Sequence, residues 1–335
     1  MSAPRGCLVV GSGSIAKRHM RNLREVFPDL SIHCVSASGR ELSFEEVDAD
    51  FVHLTLENAL TFALAFAIIA SPAPLHLSHA KKLMAAGIPI LIEKPVVSTL
   101  EEAADILQLV STHNACVDIG YNLRFLPSAR CVKNLIQQCA LGRIYSVHAD
   151  VGQYLPDWRP TTNFKNNVSA QKSLGGGVLL ELSHELDYLS WLFGEIDSVY
   201  CKVKNTGALE IDVEDCVDAL LTFSDDIVAT LHMDFLQRSP MRTCKIIGSE
   251  STLIWDLNRN SVDIHGPGGA VQRVYDGNEY DRNEMYMAEL RHFANVFERG
   301  AYASVTLDEA IQTLTVIDAM RKSSQEGMPV NIKKV

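Results

Sequence analysis

The chain has 335 residues, of which 47% are hydrophobic and 21% charged. That length exceeds one compact core, and that composition excludes a disordered or fibrous chain, so two globular domains are expected. With 30 basic against 41 acidic side chains the formal charge is −11, which repels phosphate backbones and argues against nucleic acid as a partner.

Residues 1–13 lack the layout of a secretory leader. The apolar stretch 59–70 is too short to span a bilayer and reads as a helix end running into a buried strand. The eight cysteines form no CxxC pair and no Cys/His cluster with zinc-finger spacing. They are expected to be buried free thiols in a reducing compartment. A cytoplasmic protein with no membrane span and no metal follows from these readings.

The chain opens with an apolar strand at 7–10, a glycine turn, a helix at 15–26 stopped by Pro28, and a second strand at 32–35. This is a βαβ unit. The alternation continues with a strand at 66–70 and a helix at 75–86 closed by Gly87. A strand at 88–92 then runs into Glu93-Lys94-Pro95. The next helix, 100–112, has Thr99 as N-cap and Glu101 and Glu102 in its first turn. A strand at 116–120 ends the series. Beyond Asn122 the texture changes. A helix at 127–140 precedes alternating strand-like runs at 144–151, 197–204, 219–223, 227–234, 243–247 and 253–256. One helix at 177–193 interrupts them, and helices at 284–298 and 307–323 form the tail. The expected architecture is an α/β Rossmann domain over 1–122 and an α+β domain with a largely antiparallel open sheet over 123–335. The open sheet face needs cover, so a homodimer or homotetramer is expected.

The turn Gly11-x-Gly13-x-x-Ala16 follows a strand and opens a helix. The first glycine permits the tight turn, the second admits a pyrophosphate, and the alanine lets helix and strand pack closely. Ser14 and Ile15 begin the helix whose N-terminus faces the phosphates. The pattern reads as a nicotinamide dinucleotide site. NAD enzymes usually carry Asp or Glu at the end of the second strand, to hold the ribose 2′-hydroxyl. Here that place holds Ser36-Ala37-Ser38-Gly39-Arg40, with no carboxylate before Glu41. Ser36, Ser38 and Arg40 suit a 2′-phosphate, so the reading for NAD(P) leans to NADP(H).

A second constellation follows Gly175-Gly176-Gly177. On one helix Glu181, His184, Asp187 and Tyr188 fall at i, i+3, i+6 and i+7 and share a broad face, while Leu179, Leu182, Leu186 and Leu189 pack elsewhere. Two carboxylates with a histidine suit proton transfer. Asn122 and Arg124 follow a strand end and are expected to line the same cleft.

The GxGxxA turn, the strand ending in Glu93-Lys94-Pro95, the run from Gly120 to Phe125 and the GGG helix with its histidine together resemble the Gfo/Idh/MocA oxidoreductases. Ala70-Ser71-Pro72 with His76, Met285-Tyr286, Glu289-Leu290 and His292-Phe293 add to the resemblance, which spans nearly the whole chain. It implies that Lys94 points into the active site beside the nicotinamide and that Pro95 shapes the strand exit. It implies dinucleotide contacts from Ser71, Pro72, His76, Glu93 and Asn122. It also implies a sugar-type pocket built from the stretch holding Tyr154, Trp158, Arg159 and Lys172, joined by Arg124, Asp187 and Tyr188. Independently, Lys94 sits at the carboxyl end of a parallel strand, where open α/β sheets bind ligands and where an ammonium can hold an alkoxide. The family's usual Asp-x-x-x-His is not reproduced, because Leu180 stands four before His184. Either Glu181 replaces the aspartate with a longer arm, or His184 acts with Lys94 alone. His79, at i+3 from His76, has no third metal ligand and reads as a helix-surface residue. The function expected is hydride transfer at a hydroxyl or keto carbon of a sugar, polyol or nucleotide-sugar. A redox-assisted epimerase or glycosidase with retained cofactor, or a dinucleotide-binding regulator, are the alternatives.

Overall fold

In a computed structural model, which describes residues 6–332, the apolar runs at the head of the chain form parallel strands. The first five residues of the leader reading and the last three residues of the chain lie outside the described residues. In chain order come β1 (Gly6–Val10), α1 (Ser14–Val26), β2 (Ser31–Val35), β3 (Phe51–His53), α2 (Leu56–Ala59), β4 (Leu64–Ile69), α3 (His76–Ala85), β5 (Ile90–Glu93), α4 (Leu100–His113) and β6 (Val117–Gly120). They are followed by α5 (Pro127–Gln137), β7 (Ile144–Gly152), α6 (Val178–Glu181), α7 (His184–Phe193), β8 (Ile196–Lys204), β9 (Cys216–Phe223), β10 (Val228–Asp234) and β11 (Met241–Gly248). The last elements are β12 (Thr252–Asp256), β13 (Ser261–His265), β14 (Val271–Asp276), α8 (Glu284–Arg299), α9 (Leu307–Glu326) and β15 (Val330–Asn331).

The chain divides into two units, Met1–Asn122 with Asn283–Ile311 and Leu123–Arg282 with Gln312–Val335. In the first, six parallel strands run in the order β3-β2-β1-β4-β5-β6. Strands β1 and β5 are buried along their whole length, which is why they read as unbroken apolar runs rather than alternations. The order reverses between β1 and β4, and ligands of such sheets sit beyond the strand carboxyl ends at that point. Helix α4 begins in a capping box between Thr99 and Glu102 and stops on Asn114 in the left-handed conformation.

The second domain expected over 123–335 is not continuous. Helix α8 returns to the first unit because its apolar stripe belongs to that core: Leu290 and Phe293 are fully buried in one cluster with Leu23, Phe66 and Leu91. Phe293 meets Phe66 edge-on at 5.7 Å, and Phe297 packs on both. Asp118, buried on β6, accepts from the Ser304 hydroxyl at 2.9 Å and from the Val305 N–H at 3.2 Å. That anchors the chain beyond α8 to the sheet.

The second unit is a nine-stranded sheet in the order β14-β13-β12-β11-β7-β10-β9-β8-β15. All neighbours are antiparallel except β7 with β10. Alternate residues of β7, β9 and β10 are buried on one face. Trp255 on β12 is fully buried beneath α5 and α7, donating to the Ser128 hydroxyl at 2.8 Å and meeting Tyr188 edge-on. Strands β13 and β14 and the short β3 lie outside the periodic runs of the sequence. Among the described residues no helix is long and apolar enough to cross a membrane, and all eight cysteines are free. Burial pushes the thiols of Cys7, Cys34, Cys201 and Cys244 up to about 12.

On the opposite, more exposed face, Cys216, Asp218 and His232 come within metal-ligating reach of one another. The histidine is already bonded through both ring nitrogens. Its Nδ1 lies 2.8 Å from Asp218 and its Nε2 3.0 Å from Asp234. Two acceptors require both ring nitrogens to carry hydrogen, and the bonds to Asp234 and Asp218 hold the ring's pKa up at about 9 against the opposing effect of burial. A proton occupies the place a metal would need. The folded value exceeds the unfolded one, so this stabilisation is complete below about pH 6.5 and is lost as pH rises through about 9. Replacing His232 by Gln should therefore lower the urea midpoint most near pH 6, and the difference from the parent should shrink by about pH 10. An equal loss at both pH values would show that no charge is held there.

Candidate active site

Backbone contact dictates the glycine turn of the first unit. Gly11 has φ +131°, and a Cβ there would fall 2.5 Å from the Ala70 carbonyl oxygen. Only glycine lets the exits of β1 and β4 approach this closely. A Cβ on Gly13 would meet nothing within 4 Å, so open space lies above the start of α1. That start has no side-chain cap and no acidic residue in its first turn. Its unsatisfied N–H groups and dipole leave a cradle suited to an anion, rimmed by exposed Ser14 and half-buried Ile15. Ala16 is fully buried against the sheet. These features fit a dinucleotide pyrophosphate.

At the end of β2, buried Ser36 accepts from the Ser38 N–H, and its hydroxyl lies 3.3 Å from that of Ser38. Arg40 stands on an exposed loop, bonded to the Glu46 carboxylate at 2.8 Å and the Glu41 carbonyl at 3.1 Å.

The exits of β4 and β5 are joined through His76. Its buried ring spans the Ser71 carbonyl at 2.8 Å and the Pro95 carbonyl at 2.9 Å, which sets the backbone at Ser71-Pro72 and after Lys94. The Lys94–Pro95 peptide is cis. His79, expected on the surface, is half-buried against the Ser71 hydroxyl at 3.1 Å, and burial pushes its ring down to about 4. The two histidines hold backbone and hydroxyl groups. Glu93, the last residue of β5, bonds the fully buried His19 at 2.6 Å. Lys94 follows it and is half-buried. Buried Asn122 lies against the Tyr286 hydroxyl, and Arg18 stacks over the Tyr286 ring at 4.5 Å.

In the second unit the GGG turn places the histidine helix. Gly177 has φ +106°, and a Cβ there would fall 2.5 Å from the Glu214 carboxylate. The single helix expected over 177–193 is two helices, α6 ending at Glu181 and α7 starting at His184, with a break at Leu182-Ser183. The four residues therefore do not share one continuous helix. Glu181 and His184 still line one cavity of about 350 Å³, together with Trp158 and the exit of β7 from Val151 to Gln153. Asp187 and Tyr188 do not line it. Asp187 is 1% exposed and takes a bidentate pair from buried Arg124, at 2.7 and 3.2 Å. Tyr188 is a core residue on Trp255. Tyr154 lies under the Arg238 guanidinium at 3.6 Å, while Arg159 and Lys172 are exposed. None of these six is among the residues lining the cavity.

Four polar lining residues escaped the sequence reading: Gln153, Arg242, Asn258 and Arg282. Arg242 reaches the cavity through sheet register, pairing with Val151 across β11 and β7. Arg242 is braced by fully buried Glu185, at 2.7 and 2.9 Å. Arg282 donates to the Leu257 carbonyl at 2.6 Å. The only local signal was the position of Met241-Arg242 at a strand start, and nothing in the sequence pairs that start with the exit of β7.

Comparison with known proteins agrees with this architecture. Residues 5–121 match the Gfo/Idh/MocA oxidoreductase profile for an NAD-binding Rossmann fold, and residues 133–332 match the profile for the family's C-terminal alpha/beta domain. The scyllo-inositol 2-dehydrogenase (NAD(+)) of Bacillus subtilis is 27% identical over 97% of this chain and 96% of its own. The inositol 2-dehydrogenase of Streptomyces avermitilis is 27% identical over 98% and 94%. The structure of a levoglucosan dehydrogenase in complex with NADH superposes with a TM-score of 0.87 at 21% identity, covering 99% of this chain and 100% of the other. The chain is thus an oxidoreductase with a nicotinamide dinucleotide-binding domain, and it belongs to the Gfo/Idh/MocA family.

Proposed function

We propose that the protein transfers hydride between NAD(P) and a hydroxyl or keto carbon of a sugar or polyol. The observation that carries this reading is the cavity of the second unit, which gathers Glu181 and His184 beside the Trp158 indole, in a chain whose other unit keeps an open anion cradle. An aromatic wall with several hydrogen-bonding groups suits a polyhydroxylated ring. The volume is at the small end for ligand sites, which favours a single ring or polyol over a nucleotide-sugar. Relatives named for inositol and levoglucosan support the same class.

The bound nicotinamide supplies the hydride acceptor or donor. His184 takes the hydroxyl proton as the carbon–hydrogen bond breaks, and returns it in the reverse direction. Glu181 orients His184 or the substrate. The Lys94 ammonium donates to the substrate oxygen and stabilises negative charge as it develops. Arg242, Asn258 and Arg282 hold the remaining hydroxyls. Ser71, Pro72, Glu93 and Asn122 shape the dinucleotide site from the strand exits, with His76 fixing their backbone. We place the enzyme in the cytoplasm, in keeping with its free thiols, as a homodimer or homotetramer covering the open sheet face.

The finer choice of NADP(H) rests on the Ser36, Ser38 and Arg40 cluster, where the end of β2 itself carries no carboxylate. The exposed Arg40–Glu46 pair is weak and yields to a bound phosphate. Arg40→Ala should weaken NADPH binding at least about tenfold and leave NADH within about twofold, read by fluorescence titration. Equal losses on both would remove Arg40 from the choice.

Lys94→Ala should lower kcat by about 100- to 10,000-fold while the dinucleotide Kd stays within a few-fold. His184→Ala should lower kcat comparably. Near-normal turnover in either variant removes that residue from the mechanism.

A further inference from the structure

Behind β5 lies a carboxyl group that the reaction does not use. Glu289, on α8, is 1% exposed. Neither of its carboxyl oxygens has a hydrogen-bond partner among the described residues. The carboxyl groups of Glu93 on β5 and Asp118 on β6 act on it electrostatically. One turn earlier on α8, Tyr286 faces the same cluster and carries the Arg18 guanidinium of α1 over its ring. His19, also on α1, is already bonded to Glu93.

The neighbours leave little choice of charge state. An ionised carboxylate buried without donors is costly, and crowding it against two more carboxylates adds repulsion. Asp118 is satisfied by Ser304, Val305 and the Ile119 N–H. Glu93 is satisfied on one oxygen by His19, and its other oxygen packs 3.3 Å from where a Cβ on Gly120 would stand. Glu289 has nothing comparable. Burial first, then Glu93 and Asp118, push its carboxyl well above the usual carboxylate range.

We propose that Glu289 is a positioning residue held as a neutral acid, which spares the Glu93–His19 bond a neighbouring buried charge and so fixes the strand exit that presents Lys94. Ionising Glu289 places a buried negative charge beside the Glu93–His19 bond, disturbs that bond and loosens the dinucleotide site. The lock works by withheld repulsion, so a neutral isostere serves as well as the acid. The link to dinucleotide binding rests on the function proposed above, whereas the charge state does not.

The test uses the full-length protein with Glu289→Gln and Glu289→Ala, NADH and NADPH as probes, and two readouts. Infrared difference spectra between the parent and Glu289→Gln should show the carbonyl band of a protonated carboxylic acid in the parent only. Dinucleotide Kd followed against pH should rise on the alkaline side in the parent and stay flat in Glu289→Gln. At neutral pH Glu289→Gln should match the parent, while Glu289→Ala, which leaves a cavity, binds about tenfold more weakly. Absence of the band, a shared alkaline limb, or a tenfold loss in a folded Glu289→Gln overturns the proposal. If the band is present but the parent binds neither dinucleotide, the positioning role falls with the cofactor reading while the neutral acid stands.

Discussion

The first unit is closed by a helix that arrives from the far end of the sequence. Helix α8 supplies Leu290, Phe293 and Phe297 to a core to which β1, β2, β4, β5, α1 and the segment holding Leu42 and Val47 also contribute. Asp118 then ties the chain that leaves the helix back to β6. A Rossmann sheet buries both faces, and each of its crossovers must be covered. Without α8 the ring of Phe66 would stand open on one side. The same helix also brings Tyr286 and Glu289 behind the strand that carries Glu93 and Lys94. Packing and chemistry in the first unit thus depend on one returning segment.

In the second unit, acidic residues near the histidine divide their tasks. Glu185 braces Arg242, and Asp187 holds Arg124, each through a two-point pair between buried or nearly buried groups. Such pairs lose much more when one partner is removed than they contribute together. They fix the geometry around α7 and are unavailable for proton transfer. Glu181, on the separate turn α6, remains at the cavity with His184. The structural carboxylates thus lie on α7, and the one that lines the cavity lies on α6.

Local patterns made much of this readable from the sequence. The glycine turn, the capping box at Thr99 and the unbroken apolar strands announce themselves within a few residues. Short edge strands do not. Strand β3 has three residues, and β14 is exposed for most of its length, so neither carries an alternating pattern. The continuous helix drawn from 177 to 193 failed at Leu182-Ser183, where no Gly or Pro marks the break. Asn258 and Arg282 lie on connections between elements, where no periodic pattern marks them, and Arg242 could not be placed, because strand register decides which distant residues meet. The return of 283–311 to the first unit was hidden for the same reason: an amphipathic helix shows that it has an apolar face and says nothing of which core receives it.

The buried thiols also make each unit its own reporter of opening. Cys7 and Cys34 lie in the first core, and Cys201 and Cys244 in the second, all pushed up to about 12 by burial. A thiol so shielded scarcely reacts while its surroundings stay closed. Alkylation at those positions is then limited by how often the enclosing core opens. Two pairs of native atoms can time the breathing of two units in one unmodified chain, with exposed Cys139 as the internal standard for an open site.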